Sequence, residues 1–224
     1  MSSLTRHLTI ALAGAVALAC GDIGAPLRND FYEWRLIVPT AGGPDTVHFH
    51  WSREDLPVRV WVAADEAPDL PAHVQRAIDT WESAYLYGEF RGELVSDSNT
   101  ADVIVRGVPA PLKAAARTTR LPSALAPECG GATDLDITSD LSQLRLPMRV
   151  YVDPRVSLDT PGLADCLALT SIHEMGHAIG IFAHSANEAD IMFTDPQVNL
   201  PSARDLGTAE VLYHLDPTIE AVGP

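Results

Sequence analysis

Cysteine is scarce: the 224-residue chain has three. That excludes a disulfide-built scaffold, so a hydrophobic core must hold the fold. Basic residues are also few, with Lys plus Arg at 15 against 30 Asp plus Glu and a formal net charge of −15. A surface this acidic repels phosphate backbones, so no nucleic-acid partner is expected. It equally excludes docking on anionic lipid through a basic patch. Apolar residues still make up 46% and charged residues 20%, near the globular average, so one domain with a sizeable core is expected.

The N-terminus reads MSSLTRHLTIALAGAVALA, with Arg6 its only formal charge. Leu8 to Ala19 is an apolar run of 12 residues, short of the roughly 20 that a membrane span needs. A basic start, a short apolar stretch and small residues at its end predict a secretory signal peptide over 1–19. Val16-Ala17-Leu18-Ala19-Cys20-Gly21 resembles the lipobox of bacterial lipoproteins, which implies acylation of Cys20 and a membrane contact made only through lipid. Gly21, rather than Asp, resembles lipoproteins sent on to an outer membrane. Ala17-Leu18-Ala19 also fits ordinary A-x-A cleavage and plain secretion. If Cys20 carries lipid, Cys129 and Cys166 remain as an even pair in an oxidising compartment. A disulfide between them is expected, with two free thiols as the alternative.

Residues 20–55 mix Gly, Pro and Asp with short apolar pieces and read as a tether and introductory segment, with a turn at Ala41-Gly42-Gly43-Pro44-Asp45. The compact domain is expected over 56–217, followed by a tail over 218–224. Pro57 to Val62 alternates like a strand. Asp69-Leu70-Pro71 opens a helix carrying Val74, Ala77, Ile78, Trp81 and Tyr85 on one face. Strands are predicted at 89–95, 101–105 and 148–152, a long helix at 163–179 and a last helix from Ser202. Residues 108–147, rich in Pro, Ala and Gly, read as loop. The order predicts an α+β fold: a mixed sheet, two long helices and a C-terminal helix.

The chemistry lies at 171–193. In Ser171-Ile172-His173-Glu174-Met175-Gly176-His177, the two histidines are four apart, on one helical face and one turn apart, so both imidazoles can meet one ion. Glu174 sits beside them. This is H-E-x-x-H, the zinc signature in which the glutamate serves as general base. With 8 His and 11 Glu in the chain, the motif alone is expected by chance in roughly one or two such chains per hundred. Gly180, just past the helix, can take positive φ and turn the chain back. His184 then becomes the candidate third ligand, with Asp190 in reserve, because carboxylate oxygen also binds zinc.

Together with Met192 downstream, these pieces resemble the metzincin clan of zinc endopeptidases, and most closely its matrixin-like bacterial members. His173, Glu174, His177 and Gly180 match position by position. His184-Ser185 matches the third His-Ser, Met192 the methionine of the turn beneath the metal, and Ser202 to Tyr213 the closing helix. The match is sharp over 170–193 and loose over 56–216. The clan places two residues between glycine and third histidine; here Ile181, Phe182 and Ala183 make three. The resemblance implies a zincin-like fold, a zinc cofactor, and a peptide or protein substrate lying extended on an edge strand, for which 148–152 is the candidate. Cys129, in Pro127-Glu128-Cys129-Gly130, lies inside the domain and is not read as a latency cysteine.

Weaker candidates remain. Asp134, Asp136 and Asp140 could hold structural calcium but lack EF-hand spacing, and a solvated loop is the simpler expectation. His48, His50, His73 and His214 read as surface residues. Two functional classes follow: a monomeric, exported zinc endopeptidase, or an exported lipoprotein that binds metal without turnover. Glu174 favours the enzyme.

Overall fold

The computed structural model describes residues 30–112, 118–123, 129–155 and 162–223. Residues 1–19 and Cys20, with the expected signal peptide and lipid site, lie outside the described residues.

The turn at 41–45 folds β1 (Leu36–Thr40) antiparallel onto β2 (Gly43–Val47), and Gly43 takes φ 116° there. β3 (Val58–Val62) buries Val58 and Val60 and exposes Arg59, as its alternation predicts. α1 (Leu70–Glu82) starts with Pro71 in its first turn, where the missing N–H is no loss. It buries Leu70, Val74, Ala77, Ile78 and Trp81 at helical spacing. Short strands β4 (Gly92–Val95) and β5 (Val103–Arg106) follow. Next come β6 (Thr118–Ser123), β7 (Cys129–Ile137) and β8 (Gln143–Pro154). α2 (Leu163–Ala178), α3 (Ala203–Tyr213) and β9 (Glu220–Val222) complete the order.

The main sheet runs β4-β3-β5-β8-β7-β6, with β9 pairing β8. Strands β4, β3, β5 and β8 are parallel neighbours; β7 is antiparallel to β8, and β6 to β7. The mixed sheet of an α+β fold is therefore present. α1 and α2 pack on each other and on the sheet. Two indoles lock α2 in place: Trp81 Nε1 donates to the Ile172 carbonyl at 2.9 Å, and Trp51 Nε1 to that of Ala178 at 3.0 Å. Neither buried indole N–H could be left unpaired at this depth without a cost of about 1–3 kcal/mol.

Four expectations change. Residues 31–51 are not a tether: Tyr32, Trp34, Val47, Phe49 and Trp51 are buried in the main core. Their Pro- and Gly-broken sequence hides this, because each apolar piece is buried by distant partners rather than by its own periodicity. The stretch 108–147 is not a loop throughout. It holds β6, β7 and the start of β8, whose weakly alternating residues are held by cross-strand pairing. The C-terminus is not a free tail, since Ile219 is buried and β9 pairs with Gln143–Arg145. Finally, 148–152 is not an edge strand. It lies between β5 and β7, and β6 is the outer strand on that side.

Candidate metal centre

α2 is buried along nearly its whole length, so its polar residues stand out: His173, Glu174 and His177 are each fully buried. Charged or lone-pair-bearing groups at such depth need partners. The two histidines find theirs in main-chain carbonyls. His173 Nδ1 lies 2.7 Å from the Ile191 oxygen, and His177 Nδ1 2.6 Å from that of Ile181. A carbonyl only accepts, so each Nδ1 carries the proton and each Nε2 presents a lone pair. Both lone pairs meet the ring of His184, whose Nε2 is 3.3 Å from His173 Nε2 and 3.2 Å from His177 Nε2. The three side chains form a group that could hold a metal ion. Burial pushes the His173 imidazole down to about 3, with a further push from His184. Burial also lowers His177, well below the usual range, and His184. All three are thus neutral at neutral pH, the form a metal requires.

His184 reaches the group through a sequence of defined turns. α2 ends in a Schellman arrangement: Ile181 N–H donates to the Gly176 carbonyl at 3.0 Å and Gly180 N–H to that of His177 at 3.1 Å. Gly180 takes φ 119°, and a Cβ there would stand 2.1 Å from the Phe49 oxygen. The position therefore needs glycine for both its dihedral and its close contact. Phe182 then packs in the core, stacked on Phe49 at 6.3 Å between ring centroids. The Trp34 carbonyl accepts from Phe182 N–H at 2.9 Å and Ala183 N–H at 2.8 Å. Ser185 N–H pairs with the Met192 carbonyl at 2.8 Å, tying the third histidine to the methionine loop. The additional residue between Gly180 and His184 is absorbed by these anchors.

Met192 is fully buried, with its side chain packed against the helix at Gly176. Gly176, inside the H-E-x-x-H, makes room for it: a Cβ there would lie 2.3 Å from Met192 Sδ and 2.9 Å from Trp81. Asp190, the reserve ligand, does not join the histidines. It is buried and takes hydrogen bonds from the Ser185 hydroxyl and from Ser202 Oγ at 2.7 Å, with Arg204 Nη1 at 3.4 Å. Its function is to hold the 185–190 loop to the start of α3.

Several supporting residues had no sequence signal. Thr133 Oγ1 donates to Glu174 Oε2 at 2.7 Å, from a strand that reads as loop. Asp205, legible only as part of a helix cap, accepts from Ile191 N–H at 2.8 Å, Met192 N–H at 3.4 Å and Tyr32 Oη at 2.8 Å. Burial raises the Asp205 carboxyl, and the bonds from Ser202, Tyr32 and Ile191 pull it back. By fixing Ile191, Asp205 fixes the carbonyl that orients His173. The signal that could have found it is its place in the Ser202–Asp205 box, one helix after the methionine.

Cys129 and Cys166 are joined, with Cα atoms 5.6 Å apart, and link β7 to the first turns of α2. The calcium candidates do not converge. Asp134 is paired with Arg120, Asp136 lies 3.5 Å from Arg145, and Asp140 accepts from Thr138 Oγ1 at 2.5 Å. The second-tier histidines divide. His214 is exposed as expected, whereas His48 and His73 are buried. His48 Nε2 faces the Asp216 carbonyl at 2.6 Å, and His50 Nε2 that of Leu215 at 3.1 Å, so both clasp the C-terminal segment. Among the described residues no helix is long and apolar enough to cross a membrane. No family model matches the chain and no curated protein matches it, so the case for its chemistry stands on this geometry.

Proposed function

We propose that the chain is a zinc-dependent endopeptidase of metzincin type, with His173, His177 and His184 as the metal ligands and Glu174 as general base. The observation that carries the reading is the spacing of the three Nε2 atoms. Imidazoles held tetrahedrally at about 2.0–2.1 Å from zinc stand about 3.3–3.4 Å apart. His184 Nε2 lies 3.3 and 3.2 Å from the other two. Three protein nitrogens, two of them with the proton held on the far side of the ring by a main-chain carbonyl, match a catalytic site that keeps its fourth position open. Zinc there would supply Lewis acidity, polarising a peptide carbonyl and making water a nucleophile near neutral pH.

The chain's own residues supply the rest. Glu174 takes a proton from the attacking water as the oxygen adds to the scissile carbonyl carbon. It gives that proton to the nitrogen as the C–N bond breaks, so the products are an acid and an amine. Its full burial keeps bulk water from competing for the carboxylate. The Cys129–Cys166 bond supports the expectation of an oxidising compartment, and hence of export through residues 1–19 with Cys20 acylated.

The test combines metal content with turnover. Purified protein should carry one zinc per chain and cleave an unfolded protein, and a chelator should stop cleavage. Glu174→Ala should keep the zinc and lose cleavage by about 10²-fold or more. Protein without zinc after incubation with the metal would overturn the whole reading. Zinc binding without cleavage would favour a metal-holding lipoprotein.

A further inference from the structure

Cys129 and Thr133 share one face of β7, four residues apart, whereas Cys166 and Glu174 lie eight apart on α2. Four strand residues rise about 13 Å and eight helical residues about 12 Å. The strand and helix are therefore in step: the Cys129–Cys166 link joins them at one end, and Thr133 meets Glu174 at the other. Both side chains are fully buried. The Thr133 hydroxyl lies 2.7 Å from Glu174 Oε2 but 3.5 Å from the Glu174 carbonyl, so its proton goes to the carboxylate. A buried hydroxyl on this strand could have been met by a main-chain oxygen alone; here it goes to the one carboxylate of the H-E-x-x-H motif.

We propose that Thr133 is a positioning residue for Glu174: its hydroxyl holds the carboxylate in a single orientation beside the histidines, and the disulfide sets the strand register that brings it there. This rests on the reading of Glu174 as general base. A hydrogen bond from a neutral donor to a carboxylate is among the stronger ones in proteins. A base that must take and then return one proton depends on such fixed placement.

The experiment compares Thr133→Val, which keeps the shape, with Thr133→Ser, which keeps the hydroxyl, in the full zinc-loaded chain. With an unfolded protein as substrate, Thr133→Val should lower kcat about tenfold with KM changed by less than about twofold, as for a lost transition-state placement. Thr133→Ser should stay within about threefold of the parent, and all forms should hold the same zinc. A second readout needs no turnover. Thr133→Val should lower the melting temperature of the parent, because it leaves the buried carboxylate short of a donor. In a Glu174→Ala background it should leave the temperature unchanged or raise it, because the hydroxyl has then lost its carboxylate acceptor and keeps only the long contact to the main-chain carbonyl. Unchanged kcat in Thr133→Val, or Thr133→Ser falling as far as Thr133→Val, would overturn the proposal. So would equal melting shifts in both backgrounds. A parent chain that cleaves nothing overturns the endopeptidase reading instead, and the melting comparison still decides whether Thr133 and Glu174 are coupled.

Discussion

The main-chain carbonyl of Trp34 accepts the N–H of Ala183 at 2.8 Å, so a residue from the start of the described chain holds the residue next to a candidate metal ligand. Phe182 N–H shares the same acceptor at 2.9 Å. The three-residue link from Gly180 to His184 thus has a use for each member: Ile181 accepts from His177, Phe182 fills the core, and Ala183 is pinned to Trp34. Deleting Ala183 would restore the two-residue spacing of the metzincin pattern. The expected outcome here is the reverse of a repair, a loss of zinc affinity of about tenfold or more, as for disrupted supports of metal ligands. Competition with a chromophoric chelator measures it, and unchanged affinity would show that Trp34 does not set the link.

His184 and Asp190 should separate cleanly. His184→Ala removes a nitrogen of the group and should weaken zinc binding by orders of magnitude. Asp190→Asn should leave zinc bound, but should destabilise the fold by about 1–3 kcal/mol through its bonds to Ser185 and Ser202. Zinc affinity and urea midpoints of the two variants decide the matter.

Gly180→Ala should be severe. The position combines φ 119° with a Cβ site 2.1 Å from the Phe49 carbonyl. Left-handed strain alone is worth about 1–3 kcal/mol, and the clash with backbone adds to it. A fall in melting temperature, together with weaker zinc binding through a displaced His184, is expected. A wild-type melting curve would contradict the assigned turn.

Replacing Cys129 and Cys166 together by serine opens a loop with a sequence separation of 37 residues. Chain entropy puts the loss near 4 kcal/mol. Denaturant unfolding of the double variant against the oxidised parent gives the number.

Acid should unfold the metal-free chain early. Burial holds His173 at about 3 and His177 well below the usual range in the fold, against an unfolded value near 6.5. Both folded values are depressed, so below pH 6.5 the unfolded chain binds more protons than the native one. Stability is then complete above about pH 6.5 and falls as the pH drops toward 3, by about 1 kcal/mol per pH unit for each histidine. Urea midpoints of chelator-treated protein between pH 7.5 and 5 should fall, and a flat profile would contradict the burial of neutral imidazoles.

What the sequence determined by itself was local. Helical spacing in α1 and α2 follows from side chains three and four apart, and so does the pairing of His173 with His177 on one face. The stop at Gly180 and the Ser202 cap of α3 are likewise set by neighbouring residues. Tertiary structure decided what depends on distant partners. β6 and β7 exist because they pair with one another and with β8, not because Thr118–Ser123 or Cys129–Ile137 alternate strongly. Tyr32 and Trp34 became core because α3 accepts the Tyr32 hydroxyl and the 182–183 link donates two N–H groups to the Trp34 carbonyl. That the His184 side chain, and not Asp190, stands with His173 and His177 was decided the same way. Only folding shows that Ser185, Ser202 and Arg204 take up the carboxylate, while the His184 imidazole is left facing two lone pairs.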